Sequence, residues 1–303
     1  MLAARFLTVA ILLAYGVAQA REVATIAEPQ AQPAAPAQAS AQALSSGKWV
    51  LSLPSEGTVP FDGIVTFDHY GNNKGEHVQV TAPNIATGIA GLILGGLLVK
   101  GISDAGKEKV REEANLVLQP FRPVLDKFNY ARLTAPLEQP GASAKLRLAS
   151  GAQAGIDELV MESRPLFSLT QDKRSLVLSN LVQIQSAGRL LWENQVRVVS
   201  PVFAAEDMNA FWNEQEGRKL LDESQRLYLQ SVQAVMAHWR TSQTTDSAQF
   251  KTVRYQEGGV EQFERALVLQ EHCDRRIFKN LRGQWLILPA SPGADAAACK
   301  PAA

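Results

Sequence analysis

The chain has 303 residues, with 30 Lys and Arg balanced against 30 Asp and Glu, four His and two Cys. That charge balance excludes a bulk electrostatic preference for nucleic acid or for an anionic surface. The length allows one large core or two small ones.

The first element is an export signal. Arg5 gives a positive start, Phe6–Val17 is an apolar run of twelve residues, and Ala18-Gln19-Ala20 has the small-x-small pattern of a cleavage site. Twelve residues are too few to cross a bilayer, so residues 1–20 are expected to be removed rather than to serve as an anchor. No Cys follows the run, which excludes lipid attachment there. The mature protein is therefore expected in the periplasm or associated with the envelope. Residues 21–46 are rich in Ala, Gln and Pro and contain no aromatic side chain. Such a segment buries too little apolar surface to offset its ordering entropy, and reads as a linker.

Residues 47–133 are expected to form a β-hairpin followed by helices. Trp49–Leu53 opens as a strand, Phe61–His69 alternates, the turn Gly71-Asn72-Asn73-Lys74-Gly75 follows, and His77–Ala82 returns. Ile85–Val99 is an uncharged run of fifteen residues. Within it Gly91 and Gly95 lie four apart, with Gly88 and Gly96 alongside, so that on a helix they would let another backbone approach closely. Two readings stand for this run: a helix packed in the interior or against a partner, and a membrane-associated segment. Val110, Ala114, Val117, Phe121, Val124 and Phe128 mark one helical face, which Pro120 and Pro123 kink or divide.

Residues 134–289 read as an α+β domain. Glu158–Leu169, Ser175–Ile184 and Arg189–Val199 are joined by short polar turns and predict an antiparallel β-meander. Glu206–Thr241 carries a stripe from Leu220 through Tyr228 to Trp239 and predicts a long amphipathic helix across that meander. Lys251–Tyr255, Phe263–Glu271 and Gln284–Leu288 are three further strands, and residues 290–303 form a low-complexity tail. The fold class is thus α+β, with an antiparallel β-meander packed against a long helix and an N-terminal hairpin-plus-helix subdomain.

Chemistry-bearing patterns are sparse. His69 and His77 could face each other across a hairpin, but no third ligand converges on them, so no metal site is expected. His272 and Cys273 are adjacent strand residues and point to opposite faces. Cys273 and Cys299 either form a disulfide in an oxidising compartment or remain a small apolar side chain and a tail thiol. Nucleophile-elbow, zincin, dinucleotide and P-loop patterns are all lacking from the sequence, and no cofactor is expected. Asp157, Glu158 and Glu162 are carboxylates without a distinguishing context. Arg275, Arg276, Lys279 and Arg282 are the densest basic segment; they suit an anionic partner or, more simply, ion pairs within the sheet.

The run Leu176-x-Leu178-x-Asn180-x-Val182-x-Ile184, then Gly188-Arg189-Leu190-Leu191-Trp192, then a helix starting near Phe211-Trp212, resembles small α/β modules of bacterial envelope accessory proteins. The amino-terminal domain of TolB and the auxiliary lipoproteins of envelope ABC transporters are examples of such modules. The resemblance covers residues 158–241 and implies strands packed on helices and action by binding envelope components, without catalysis. The expected function is accordingly an exported, non-catalytic protein that interacts with or helps assemble a membrane complex. Two alternatives are an exported hydrolase with an unrecognised carboxylate site and a membrane-inserting protein acting through residues 85–99.

Overall fold

Ten strands form one mixed sheet in the computed structural model. The described residues are 47–54, 57–64, 111–138, 146–149, 155, 157–240, 249–271 and 274–290. All fall in a single compact unit. The expected signal segment 1–20, the expected linker 21–46, most of the expected hairpin, the run 85–99 and the tail after 290 lie outside them.

The strands are β1 (Lys48–Ser52), β2 (Phe61–Gly63), β3 (Leu146–Ala149), β4 (Glu158–Leu169), β5 (Leu176–Ser186), β6 (Arg189–Val199), β7 (Lys251–Glu257), β8 (Val260–Glu271), β9 (Arg275–Asn280) and β10 (Trp285–Pro289). They lie in the order β3-β1-β4-β5-β6-β10-β9-β8-β7, with β2 also on β4. The fold class is α+β, dominated by the sheet. Strands β4, β5 and β6 run antiparallel to one another, joined by the short connections read from the sequence.

The far edge of β4 is shared by two short strands. β1 pairs it in parallel from Lys48↔Glu158 to Ser52↔Glu162, and β2 resumes the same lane at Phe61↔Phe167. Between them, residues 163–166 of β4 meet neither strand, and Pro165 sits in that gap. A proline has no N–H to give, so it is tolerated where the ladder on one side is interrupted. The expected strand at Phe61 therefore exists in its first three residues, paired in parallel with β4.

Helices cover one face. Residues 111–115 are α-helical and lead into a 3-10 turn, Leu116–Phe121, then α1 (Arg122–Leu125) and α2 (Tyr130–Thr134). Pro120 and Pro123 account for the break-up, since each removes an N–H from the helical ladder. Most of the predicted apolar face survives it: Ala114, Val117, Phe121 and Phe128 are buried and Val124 is half-buried, while Val110 lies outside the described residues.

Helix α3 (Met208–His238) starts on Asp207, whose carboxylate accepts the N–H groups of Asn209 and Ala210 at 2.8 and 3.1 Å. It is not continuous. Gln215, Glu216 and Gly217 take left-handed φ values of 51°, 59° and 80°, which divides the helix after its first two turns. The kink turns Trp212 inward, where its Nε1 donates to the carbonyl of Lys173 at 2.6 Å. Beyond it, Leu220, Ser224, Leu227, Tyr228, Ser231, Val232 and Val235 are buried at helical spacing against the sheet. Together with Leu178, Val182, Ile184, Val196, Val198 and Trp285 they form the larger core.

The other face carries a second, smaller core of Ile64, Val177, Val199, Val253, Ala266, Phe278, Leu286 and Leu288. Its existence requires the sheet to roll. Neighbouring strands are about 4.8 Å apart, so in a flat sheet β6 and β7, four spacings apart, would stand about 19 Å from each other. Yet Arg197 on β6 donates to Glu257 on β7 at 2.6 Å, and Gly259 after β7 donates to Asp172 in the turn after β4. Strands β8 and β7 thus fold back over the face of β5 and β6 and close the second core.

Candidate functional site

Three polar groupings stand out. The first lies inside the larger core. Tyr228 on α3 donates its hydroxyl to Ser163 Oγ at 2.9 Å, Ser163 donates to Asn180 Oδ1 at 2.9 Å, and Asn180 Nδ2 donates to Ser231 Oγ at 3.1 Å. The four side chains come from β4, β5 and two positions three apart on α3, and all are at most 1% exposed. Burial pushes the Tyr228 phenol well above its ordinary value, so it remains a neutral donor. Each hydroxyl and amide in the chain meets another, which fixes the register of α3 on the sheet. These are positioning contacts in a buried interior.

The second grouping lies in the rolled half. Arg197 and Glu257 have side chains only 13% and 3% exposed. Tyr255 faces them from the same side of β7 as Glu257, and its phenol is raised mainly by burial, against the lowering effect of the Arg197 charge. Arg197 itself loses by desolvation and gains from Glu257, and its pKa ends above the ordinary guanidinium value. It remains a cation at every accessible pH. Pairing is what makes a charge tolerable there.

The third is the surface edge at β1, β3 and β4. Lys48 meets Asp157 at 2.7 Å, and Arg147 meets Glu158 at 2.9 Å. Glu158 also accepts the N–H of Gly155 at 2.7 Å. Hydrogen bonds from Lys48 and Arg147, respectively, hold both carboxyls below their usual values. A carboxylate held in its charged form is poorly suited to general acid–base work near neutrality. These two instead tie the edge together: Asp157, just before β4, holds Lys48 of β1, and Glu158 of β4 reaches across β1 to Arg147 of β3. The linkage follows from the sign of the shift: a depressed carboxyl stabilises the fold above its unfolded value, about 4.3 for Glu, and that contribution disappears as pH falls through the folded value. Hydrogen exchange followed from pH 6 to pH 3 is therefore expected to show β3 losing protection before β5. Glu158→Gln should remove most of that difference.

The basic segment is divided by strand geometry. Arg275 and Lys279 share one face of β9 with Ile277, whereas Arg276 shares the other with Phe278. Arg275 reaches Gln233 on α3 at 3.5 Å, and Arg276 donates to the carbonyl of Pro289 at 3.3 Å while lying over the Phe278 ring. Arg282 is exposed in the turn after β9. The four cations are thus not gathered on one face. Gly88, Gly91, Gly95, Gly96, Cys273, Cys299, His69, His77 and His272 lie outside the described residues. His238, at the end of α3, is 2.6 Å from Gln270 Oε1. Among the described residues no three His, Cys, Asp or Glu side chains gather as metal ligands, and no helix is long and apolar enough to cross a membrane.

What sequence reading missed is the outer surface of the β7–β8 hairpin. Phe263 is 53% exposed and Phe250 37%. The Arg254 guanidinium lies over the Phe263 ring, 5.2 Å from its centre. Thr252 pairs with Arg265 and Arg254 with Phe263 across the two strands, so one face presents Arg265, Phe263 and Arg254 together. The signal was present as alternation: Thr252, Arg254 and Gln256 interleave with Val253, Tyr255 and Glu257. It could not be read as a surface without knowing which set faces inward.

No known protein family matches the chain, and no curated protein is similar to it. Among solved structures, one described only as the crystal structure of an uncharacterized protein aligns with 61% of this chain and 92% of its own, at 11% identity and a TM-score of 0.23. A likeness at that score carries no argument about fold or function.

Proposed function

We propose that this is an exported, non-catalytic envelope protein that works by binding another protein at a membrane complex. The observation carrying this reading is the outward face of the β7–β8 hairpin, where an aromatic ring half open to solvent is flanked by two arginines. Aromatic and Arg side chains are the types enriched at protein interfaces and at their energetic centres. The interior polar groups point the same way. Tyr228, Ser163, Asn180 and Ser231 are spent on one another, and Arg197 and Glu257 on closing the sheet. In this reading the meander with α3 across it is a rigid scaffold, and the export signal and linker deliver it to its compartment.

A photoreactive phenylalanine placed at position 263 in the native host tests this. One discrete cross-linked species in the envelope fraction is expected, lost when Arg254 is changed to Glu. The same label at Arg218, on the exposed side of α3, should not give it. A mature protein that stays monomeric and uncross-linked at position 263 overturns the reading.

A further inference from the structure

We propose that the outer edge of β7 accepts an extended acidic segment of the partner protein as an additional strand. The proposal rests on the binding role above and names the chemistry of what is bound.

The argument begins with the turn. Glu257 and Val260 pair across the two residues Gly258 and Gly259, and Gly258 has φ +61°. A glycine in the left-handed region at the first central position is the requirement of a type II′ hairpin. In such a hairpin the closing pair exchanges both backbone bonds, and the pattern then alternates along the strand. Glu257, Tyr255, Val253 and Lys251 therefore direct their backbone groups to β8. Thr252, Arg254 and Gln256 direct theirs outward. Among the described residues β7 pairs with β8 alone, so these groups form a row ready for strand addition.

Charge then selects the occupant. As a sequence, β7 carries two cations, Lys251 and Arg254, and one anion, Glu257. Folding removes the anion from the surface, because Glu257 turns into the rolled half and is neutralised by Arg197. Lys251 and Arg254 remain exposed, joined by Arg265 from β8, with Glu261 the one exposed acidic residue of the hairpin's outward face. The edge is thus basic, although the chain is neutral. A strand added here would run beside Arg254 and next to the Phe263 platform. Carboxylates at alternate positions would lie on the face of Arg254 and Arg265, Lys251 standing on the opposite face with Val253, and apolar residues would continue the surface of the second core.

The test uses the mature protein with a capped peptide of roughly eight residues, alternating Glu and Val, and a Lys–Val peptide as control. Anionic phospholipid vesicles form a third arm. The Glu–Val peptide is expected to bind, with new hydrogen-exchange protection at the amides of Thr252, Arg254 and Gln256. The double variant Arg254→Glu with Arg265→Glu should weaken it at least ~10-fold, and raised salt should weaken it too. Thr252→Pro, which removes an outward N–H, should abolish binding while leaving the circular dichroism unchanged. If that variant unfolds, the charge-reversal pair still decides. Equal binding of the Lys–Val peptide, binding without protection of those three amides, or binding to vesicles alone would overturn the proposal. Cross-linking at position 263 that persists while the peptide fails would remove this inference and leave the binding role standing.

Discussion

Arg197→Met is expected to destabilise the protein by about 3–5 kcal/mol, the cost of leaving a buried carboxylate without its partner. Glu257 is 3% exposed, and the paired guanidinium lies 2.6 Å from it. The double variant Arg197→Met with Glu257→Leu should recover most of that loss, because two apolar groups need no desolvation and can join Phe278, Leu286 and Val253 in the second core. Urea unfolding of the two single variants and the double variant gives the coupling energy directly. Hydrogen exchange adds the location: in Arg197→Met, protection should fall first in β7 and β8, the strands that the pair holds over the sheet. A loss below about 1 kcal/mol for Arg197→Met would mean that water screens the pair and that the roll is held by other contacts.

Asn180→Leu, which keeps the branched heavy-atom skeleton but replaces the polar ends with bulkier methyl groups, is expected to cost about 2–4 kcal/mol. It strands Ser163 and Ser231 in an interior where neither can reach solvent. Tyr228→Phe, which removes one hydroxyl from the end of the same chain, should cost less, about 1–2 kcal/mol. The pH dependence separates this from a packing effect. Both Tyr228 and Tyr255 are raised in the folded state, so their contribution is complete below the ordinary phenol value, about 10, and is lost as pH rises above it because the unfolded chain ionises first. Tyr228→Phe should therefore flatten the fall in stability between pH ~9.5 and ~11. Tyr228→Phe with Tyr255→Phe should flatten it further. An unchanged slope in both variants would place the alkaline transition on other groups.

Much of the local structure was legible because periodicity is written one residue at a time. Leu178, Val182 and Ile184 alternate along β5, and Leu220, Ser224, Leu227, Val232 and Val235 recur at helical spacing along α3, so both elements could be read before any contact was known. Strand β9 was not legible. Its Ile277 packs in the larger core and its neighbour Phe278 in the smaller one, and a strand covered on both faces loses the alternation that would reveal it. The break in α3 also escaped, because Gln215 and Glu216 are ordinary helix formers that here take left-handed conformations beside Gly217, which packs against Val124. The basic segment 275–282 looked like one patch as a string. Strand geometry divides it between two faces.

By itself the sequence determined which residues are apolar, at what spacing, and where Gly and Pro punctuate them, and those properties carried most of the strands, the short turns of the meander and the helical spacing of α3 beyond its break. It also carried the pattern expected of an export signal, a local pattern that needs no fold to be written. The partnering of β1 with β4, the return of β10 to β6 and the roll that buries Glu257 against Arg197 were decided only in the tertiary structure. Those contacts join residues tens to more than a hundred positions apart. Their free energy depends on two cores closing together, and no short window of sequence contains it.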